Sequence, residues 1–323
     1  MTQYLVTGGA GFIGSHITGA LVARGDRVRV LDDLSTGTLA NLEHLAPQPL
    51  GSGAQVEFIE GKVTDPAKLQ QACRGVEAIF HEAAQVSVPQ SVHDPVASYQ
   101  INVMGTLCVL EAARHAGVKH VVFAASSAAY GESEELPKVE TMTPSPLSPY
   151  ASGKVAGEHL MTVYGRAYGI STVALRYFNI FGPRQADDSP YTGVIAVFAK
   201  ALLEGRQATI FGDGEQTRDF TFVDNVVAAN LAAADTELEP GTVINIGTGS
   251  SITVNELYRA MADLVGIEAR PLYATPREGD ILHSIASIER ARRLLGYRPQ
   301  VDWRTGLGAT VTWYRDRLSA TGR

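Results

Sequence analysis

The stretch "VTGGAGFIGSH", residues 6–16, decides the fold. A strand-like apolar run, Tyr4–Thr7, leads into Gly8, Gly11 and Gly14, and a helical pattern begins at about Phe12. A strand, a three-glycine turn and a helix together predict the phosphate-binding start of a doubly wound α/β sheet. Gly8 permits the tight turn, Gly11 lets the backbone approach a phosphate, and Gly14 lets the helix pack close to its strand. The helix N-terminus then favours a pyrophosphate. Asp32 ends the second strand, 18 residues beyond Gly14. A carboxylate there can accept hydrogen bonds from both ribose hydroxyls and would repel a 2′-phosphate, which points to NAD rather than NADP.

The same pattern continues outward. Arg27–Leu31, Val56–Glu60, Ala78–His81, Val121–Ala125 and Thr172–Arg176 read as short apolar strands with helices between them. That alternation predicts a parallel (Rossmann) sheet buried on both faces. From about Asn179 the chain turns to Pro/Gly/Asp-rich loops and shorter elements. The expected organisation is an NAD-binding domain over residues 1–178 and a smaller α/β substrate lobe over 179–323, with residues 242–247 rejoining the first sheet.

Composition narrows the function. Hydrophobic residues make up 45% of the 323 and charged residues 19%, as in a globular chain. The net charge of −7 argues against a nucleic-acid binder working through general basic attraction. No apolar run is long enough to span a bilayer, and the N-terminus runs straight into a strand, so a cytoplasmic protein is expected. Cys73 and Cys108 lie far apart, in no metal-ligand spacing, and read as inert thiols. No metal site is expected.

The candidate chemistry lies in "SPYASGK", residues 148–154. Tyr150 and Lys154 stand one helical turn apart and share a face. Pro149 suits the first turn of the helix. A phenol titrates near ~10, and lowering it to ~7 takes roughly 4 kcal/mol of differential stabilisation. The lysine cation and an oxidised nicotinamide would both favour the phenolate. Ser126 and Ser127 follow the Val121–Ala125 strand, at the sheet end where ligands bind.

Taken together, "TGGAGFIGSH", the serine-bearing strand end, "YASGK" and "LRYFNIFGPRQ" resemble the extended short-chain dehydrogenase/reductase family. Within it the chain is similar to the nucleotide-sugar 4-epimerases, and "LPKVE" with "PLSPYASGK" looks most like the bacterial UDP-N-acetylglucosamine 4-epimerases. The likeness covers the whole chain. It implies tightly held NAD, transient oxidation at C4 of a UDP-hexose, and return of hydride to the other face. Tyr150 would be the base, Lys154 the residue that holds the nicotinamide ribose and tunes Tyr150, and Ser126 the hydroxyl partner, with Ser127 the alternative. Phe12, Ile13, Leu34, Ser35, Thr36, Gly37, Val63, Ala83, Ala84, Gln85, Asn102 and Tyr177 would complete the cofactor contacts. Ser87, Ser127, Asn179, Val194, Ile195, Phe211, Arg218, Arg277, Asp280 and Ser284 would line the substrate site, with Arg218 and Arg277 on the diphosphate.

Ser284 stands where narrow glucose/galactose epimerases carry a bulky tyrosine, which leaves room for an N-acetyl group at C2. Two positions depart from the family pattern. Lys62 replaces an aspartate that reads the adenine, and Gln85 and Val86 occupy the stretch where a lysine is usual. Residues 127–129 are Ser, Ala and Ala, which leaves dehydratase or decarboxylase chemistry without its acids. The alternatives are a UDP-glucuronate 4-epimerase, a plain UDP-glucose epimerase, or a non-catalytic NAD-binding relative. Helices around Val96–Arg114 and Tyr150–Arg166 would pair across a two-fold axis, giving a homodimer through a four-helix bundle.

Overall fold

The computed structural model describes residues 1–186, 193–276 and 281–320. Its first half runs β1 (Gln3–Thr7), α1 (Phe12–Ala23), β2 (Arg27–Asp32), β3 (Gln48–Pro49), β4 (Val56–Glu60), α2 (Pro66–Ala72), β5 (Ala78–His81), α3 (Val88–His93), α4 (Pro95–Tyr99), α5 (Gly105–Ala116), β6 (His120–Ser126), α6 (Pro149–Tyr168) and β7 (Ser171–Tyr177). It continues through β8 (Ile180–Phe181), α7 (Val194–Leu203), β9 (Thr209–Phe211), β10 (Thr217–Arg218), β11 (Thr221–Phe222), α8 (Val223–Ala234), β12 (Thr242–Ile246), β13 (Ile252–Thr253), α9 (Val254–Val265), β14 (Leu272–Ala274), α10 (Glu289–Leu295) and α11 (Trp303–Ala320).

Eight strands form one parallel sheet in the order β12-β7-β6-β5-β1-β2-β4-β3. Side chains alternate across it, as the pleat demands. Tyr4 and Val6 face a core that includes Ile17 and Leu21 of α1. Leu5 faces another, with Leu69 of α2, Val109 and Leu110 of α5, and Met161 of α6. The first core extends without a break to Phe198 of α7, Val226 of α8, Tyr258 of α9 and Tyr314 of α11. The later elements therefore share apolar packing with the sheet.

β12 joins the sheet edge beside β7, with Asn245 opposite Arg176. Its Asn245 also ties down the segment after β6. The Tyr130 hydroxyl donates to Asn245 Oδ1 at 2.6 Å, and the Asn245 amide donates to the Lys138 carbonyl at 2.9 Å.

The structure departs from the sequence reading in two elements. β3 is a two-residue exposed edge strand containing Pro49, too short to leave an alternating pattern. The expected single helix over Val96–Arg114 is instead α4, a π-helical segment Gln100–Met104, and α5. The extra residue in the π turn directs Asn102 inward, where its side chain accepts from Gln85 N at 2.8 Å and donates to Gln85 O at 3.0 Å.

Candidate active site

The glycine turn has the geometry of a phosphate cradle. Gly8 adopts φ +68, and a Cβ there would lie 2.7 Å from Ala83 N. A Cβ on Gly14 would lie 2.3 Å from the Gly8 carbonyl, so only glycine lets α1 start this close to β1. α1 begins without a side-chain cap and with no acid in its first turn, where Phe12 and Ile13 lie. Its first amides are thus available to an anion. Asp32 also braces the turn: its Oδ2 accepts from Ala10 N and its Oδ1 from Leu34 N, each at 2.9 Å. Burial raises its carboxyl above the usual range, against those backbone hydrogen bonds. Each oxygen keeps a further lone pair for a ligand.

The loop from Leu34 to Gly37 folds back on this turn. Leu34 takes φ +56, and Ser35 N donates to Asp33 at 3.0 Å. Thr36 is exposed, and a Cβ on Gly37 would meet Ala10 and Asp32 at 2.9–3.0 Å. Ala83 N donates to the Thr7 hydroxyl at 3.4 Å, and Ala84 follows it, half-buried. Gln85 is clamped by Asn102 and also donates through its amide to Ser87 O at 2.9 Å. Ser87 caps α3 through Gln90 N. Val63 is buried against Gly105.

α6 brings the reactive pair down onto the sheet. Ser148 caps it through Ala151 N at 3.2 Å, Pro149 occupies its first turn, and Gly169 closes it in a left-handed turn. The Tyr150 amide donates to Ser91 Oγ at 3.1 Å, which ties the helix start to α3. One turn beyond Gly153, a Cβ on Gly157 would penetrate the Phe123 ring at 2.4 Å, so a glycine is what allows α6 to lie this close to β6. Lys154 is in consequence only 3% exposed and donates to Ala124 O at 2.6 Å. Its Nζ lies 5.9 Å from the centre of the Tyr150 ring. Burial pushes its amine down to about 8, opposed by Glu82 and Glu158.

Ser126 ends β6 and accepts from Ala128 N at 3.2 Å, which leaves its proton for another acceptor. The Ser126 side chain also lowers the proton affinity of the neighbouring Tyr150 phenol. Ser127 begins the short helical turn beyond it. Burial nevertheless raises the Tyr150 phenol above its ordinary value, and Lys154 is not among the groups that shift it. One proton of the Lys154 ammonium is directed at the Ala124 carbonyl.

Asn179, Arg218 and Ser284, three of the residues expected on the substrate side, lie near Asp219, which is fully buried. Its carboxylate accepts from Thr248 N (2.8 Å), Thr248 Oγ1 (2.7 Å), Gly249 N (3.1 Å) and Ala286 N (3.2 Å). This draws Arg218 and Ser284 together, and Ser284 N donates to Thr217 O at 3.1 Å. Asn179, at φ +38, donates to Asp219 O at 3.3 Å. Arg218 donates to Thr217 O at 2.9 Å. Val194 and Ile195 open α7, the latter inside the core, and Phe211 ends β9. Arg277 and Asp280 lie outside the described residues.

Three residues of the site escaped the sequence reading. Glu158 on α6 holds the buried Arg176 of β7 through two hydrogen bonds of 2.7 and 2.8 Å. His81 is buried between the Thr7 and Thr106 hydroxyls, and burial, with the Lys154 charge, keeps its imidazole down at about 3, hence neutral. Glu82 accepts from the Tyr177 hydroxyl at 2.9 Å. It stands in plain view in "HEAAQ", but only the fold places it beside Tyr177, 95 residues on.

A dinucleotide cradle, a Ser/Tyr/Lys group at the strand ends, and one continuous sheet define an enzyme of the NAD-linked, doubly wound class. The chain belongs to the NAD dependent epimerase/dehydratase family, whose pattern matches residues 4–247. Its cofactor is NAD. It is 42% identical to the UDP-glucose 4-epimerase of Mycolicibacterium smegmatis over 97% of this chain and 98% of that one. Among solved structures it is similar to a UDP-N-acetylglucosamine 4-epimerase from Methanobrevibacter ruminantium (TM-score 0.91, 37% identity, 98% and 99% of the two chains). It is also similar to a UDP-glucuronic acid 4-epimerase from Bacillus cereus in complex with NAD (TM-score 0.88, 32% identity, 98% and 100%).

Proposed function

We propose that the protein is an NAD-dependent 4-epimerase of UDP-hexoses that accepts UDP-N-acetylglucosamine and UDP-N-acetylgalactosamine. The observation carrying this reading is that Ser126, Tyr150 and Lys154 lie together in a fold whose first strand ends in a glycine cradle. When bound, NAD would supply the hydride acceptor and donor. Tyr150 removes the proton of the C4 hydroxyl and returns it in the reverse step. Ser126 donates a hydrogen bond to the same oxygen. Lys154, fixed on Ala124 O, presents a cation near the phenol. Burial raises the phenol, and positive charge from Lys154 and from a bound oxidised nicotinamide would favour the phenolate.

Chromatography of product sugars from UDP-glucose, UDP-galactose, UDP-N-acetylglucosamine and UDP-N-acetylgalactosamine tests the reading. Failure of all four to turn over would overturn it, and adding UDP-glucuronate distinguishes the acid-sugar alternative.

Acceptance of the N-acetyl group rests on Ser284, half-buried in the segment held by Asp219 and hydrogen-bonded to Thr217 O. A tyrosine at this position would fill space beside C2. Ser284→Tyr is expected to lower kcat/KM on the N-acetyl sugars by about 10–200-fold, while plain hexoses lose less than threefold. Equal losses on both classes would sink the steric reading.

We also infer a homodimer through α4–α5 and α6, which pack side by side. Val96 (78% exposed), Tyr99, Met104 and Val163 present apolar surface on these helices. Replacing Met104 and Val163 together by lysine is expected to convert a dimer into a monomer in light scattering. A wild-type protein that is already monomeric would refute the inference.

A further inference from the structure

Glu82 is a carboxylate that the proposed chemistry does not use. It follows β5, and its amide donates to Thr7 O at 3.1 Å, which places it beside the glycine turn. Its side chain is held in an ordered chain. The Asn230 amide of α8 donates to the Tyr177 hydroxyl at 2.8 Å and to Val226 O at 2.9 Å, and Tyr177 in turn donates to Glu82 Oε1 at 2.9 Å. From the other side, Lys154 and Glu82 feel each other's charge, with no ion pair between them among the described residues. Glu82 is thus linked by a hydrogen bond to Tyr177 and by charge to Lys154, two residues expected at the cofactor.

We propose that Glu82, oriented by Tyr177 and Asn230, is the counter-charge of the nicotinamide site and biases bound cofactor toward its oxidised, cationic form. An anion beside the ring interacts differently with a cationic and a neutral ring, so it changes their relative affinities. That difference matters to an enzyme that must return the hydride it takes. A cofactor biased toward oxidation gives the hydride back and does not accumulate reduced, with the keto sugar lost. Burial holds the Glu82 carboxyl up at about 7, against Tyr177 and Lys154, so a neighbouring cation tips it to the ionised state near neutral pH. His81, next to it in the chain, is neutral and does not compete.

The inference rests on NAD as cofactor and not on the sugar, and its test needs no sugar. Protein stripped of cofactor is titrated with NAD⁺ and with NADH by calorimetry. In Glu82→Gln, the preference for NAD⁺ over NADH is expected to fall at least tenfold relative to wild type, equivalent to about 30 mV for a two-electron couple. Tyr177→Phe, which frees the carboxylate, is expected to move the ratio the same way by a smaller factor. Glu82→Asp is expected to keep part of the preference. If Glu82→Gln does not fold, the other two variants decide. A ratio within twofold of wild type, or equal weakening of both ligands, would overturn the proposal, because a purely structural role weakens both alike.

Discussion

Tyr150→Phe is expected to reduce kcat by about 10²–10⁴-fold, the usual worth of a positioned general acid–base. The substitution removes one oxygen and leaves the ring that packs near Lys154. Lys154 keeps its hydrogen bond to Ala124 O, and the α6 start keeps its ties to Ser148 and Ser91. Cofactor content, measured by extraction and chromatography, should therefore match wild type while turnover collapses. A loss smaller than tenfold would place the proton transfer on another group. Loss of activity together with loss of cofactor would indicate a binding role instead.

Glu158→Ala is expected to cost about 3–5 kcal/mol of stability, the range for breaking a buried ion pair from one side. Arg176 and Glu158 side chains are 3% and 6% exposed. Among the described residues Arg176 Nη1 has no hydrogen-bond partner, and the Tyr130 ring lies 4.7 Å from the guanidinium carbon. Removing the carboxylate leaves a buried guanidinium whose charge has lost its partner. Chemical denaturation measures the effect, and a cost below about 1 kcal/mol would contradict the burial argument. Replacing both residues with apolar ones of similar volume should recover much of the loss.

What was legible in the sequence is what local spacing encodes. The glycine turn, the strand ends, and Tyr150 with Lys154 at one helical turn are set within a few residues of each other. Ser126 was readable because strand ends in a parallel sheet point at the ligand face. Glu82, Glu158 and His81 were not, because each acquires its role from a residue brought in by the fold: Tyr177, Arg176 and Thr106. The π-helical segment was also hidden. Nothing in "SYQINVMGT" differs in pattern from ordinary helix, and the insertion is recognised only by Asn102 gripping Gln85. Spacing likewise puts Lys154 near the phenol but does not reveal that its ammonium also donates to Ala124 O.

The return of β12 to the sheet edge bears on how the chain folds. Tyr130, four residues past Ser126, waits for Asn245, 115 positions later, before its hydroxyl is paired. Parallel pairings and contacts of such long separation form late, since loop closure must precede the contacts that reward it. During synthesis the first seven strands emerge with one edge open and with the loop after β6 unanchored. The reactive serine's surroundings become rigid only when most of the later elements have been made and packed. A protein assembled in this order acquires its cofactor cradle early and its catalytic geometry last.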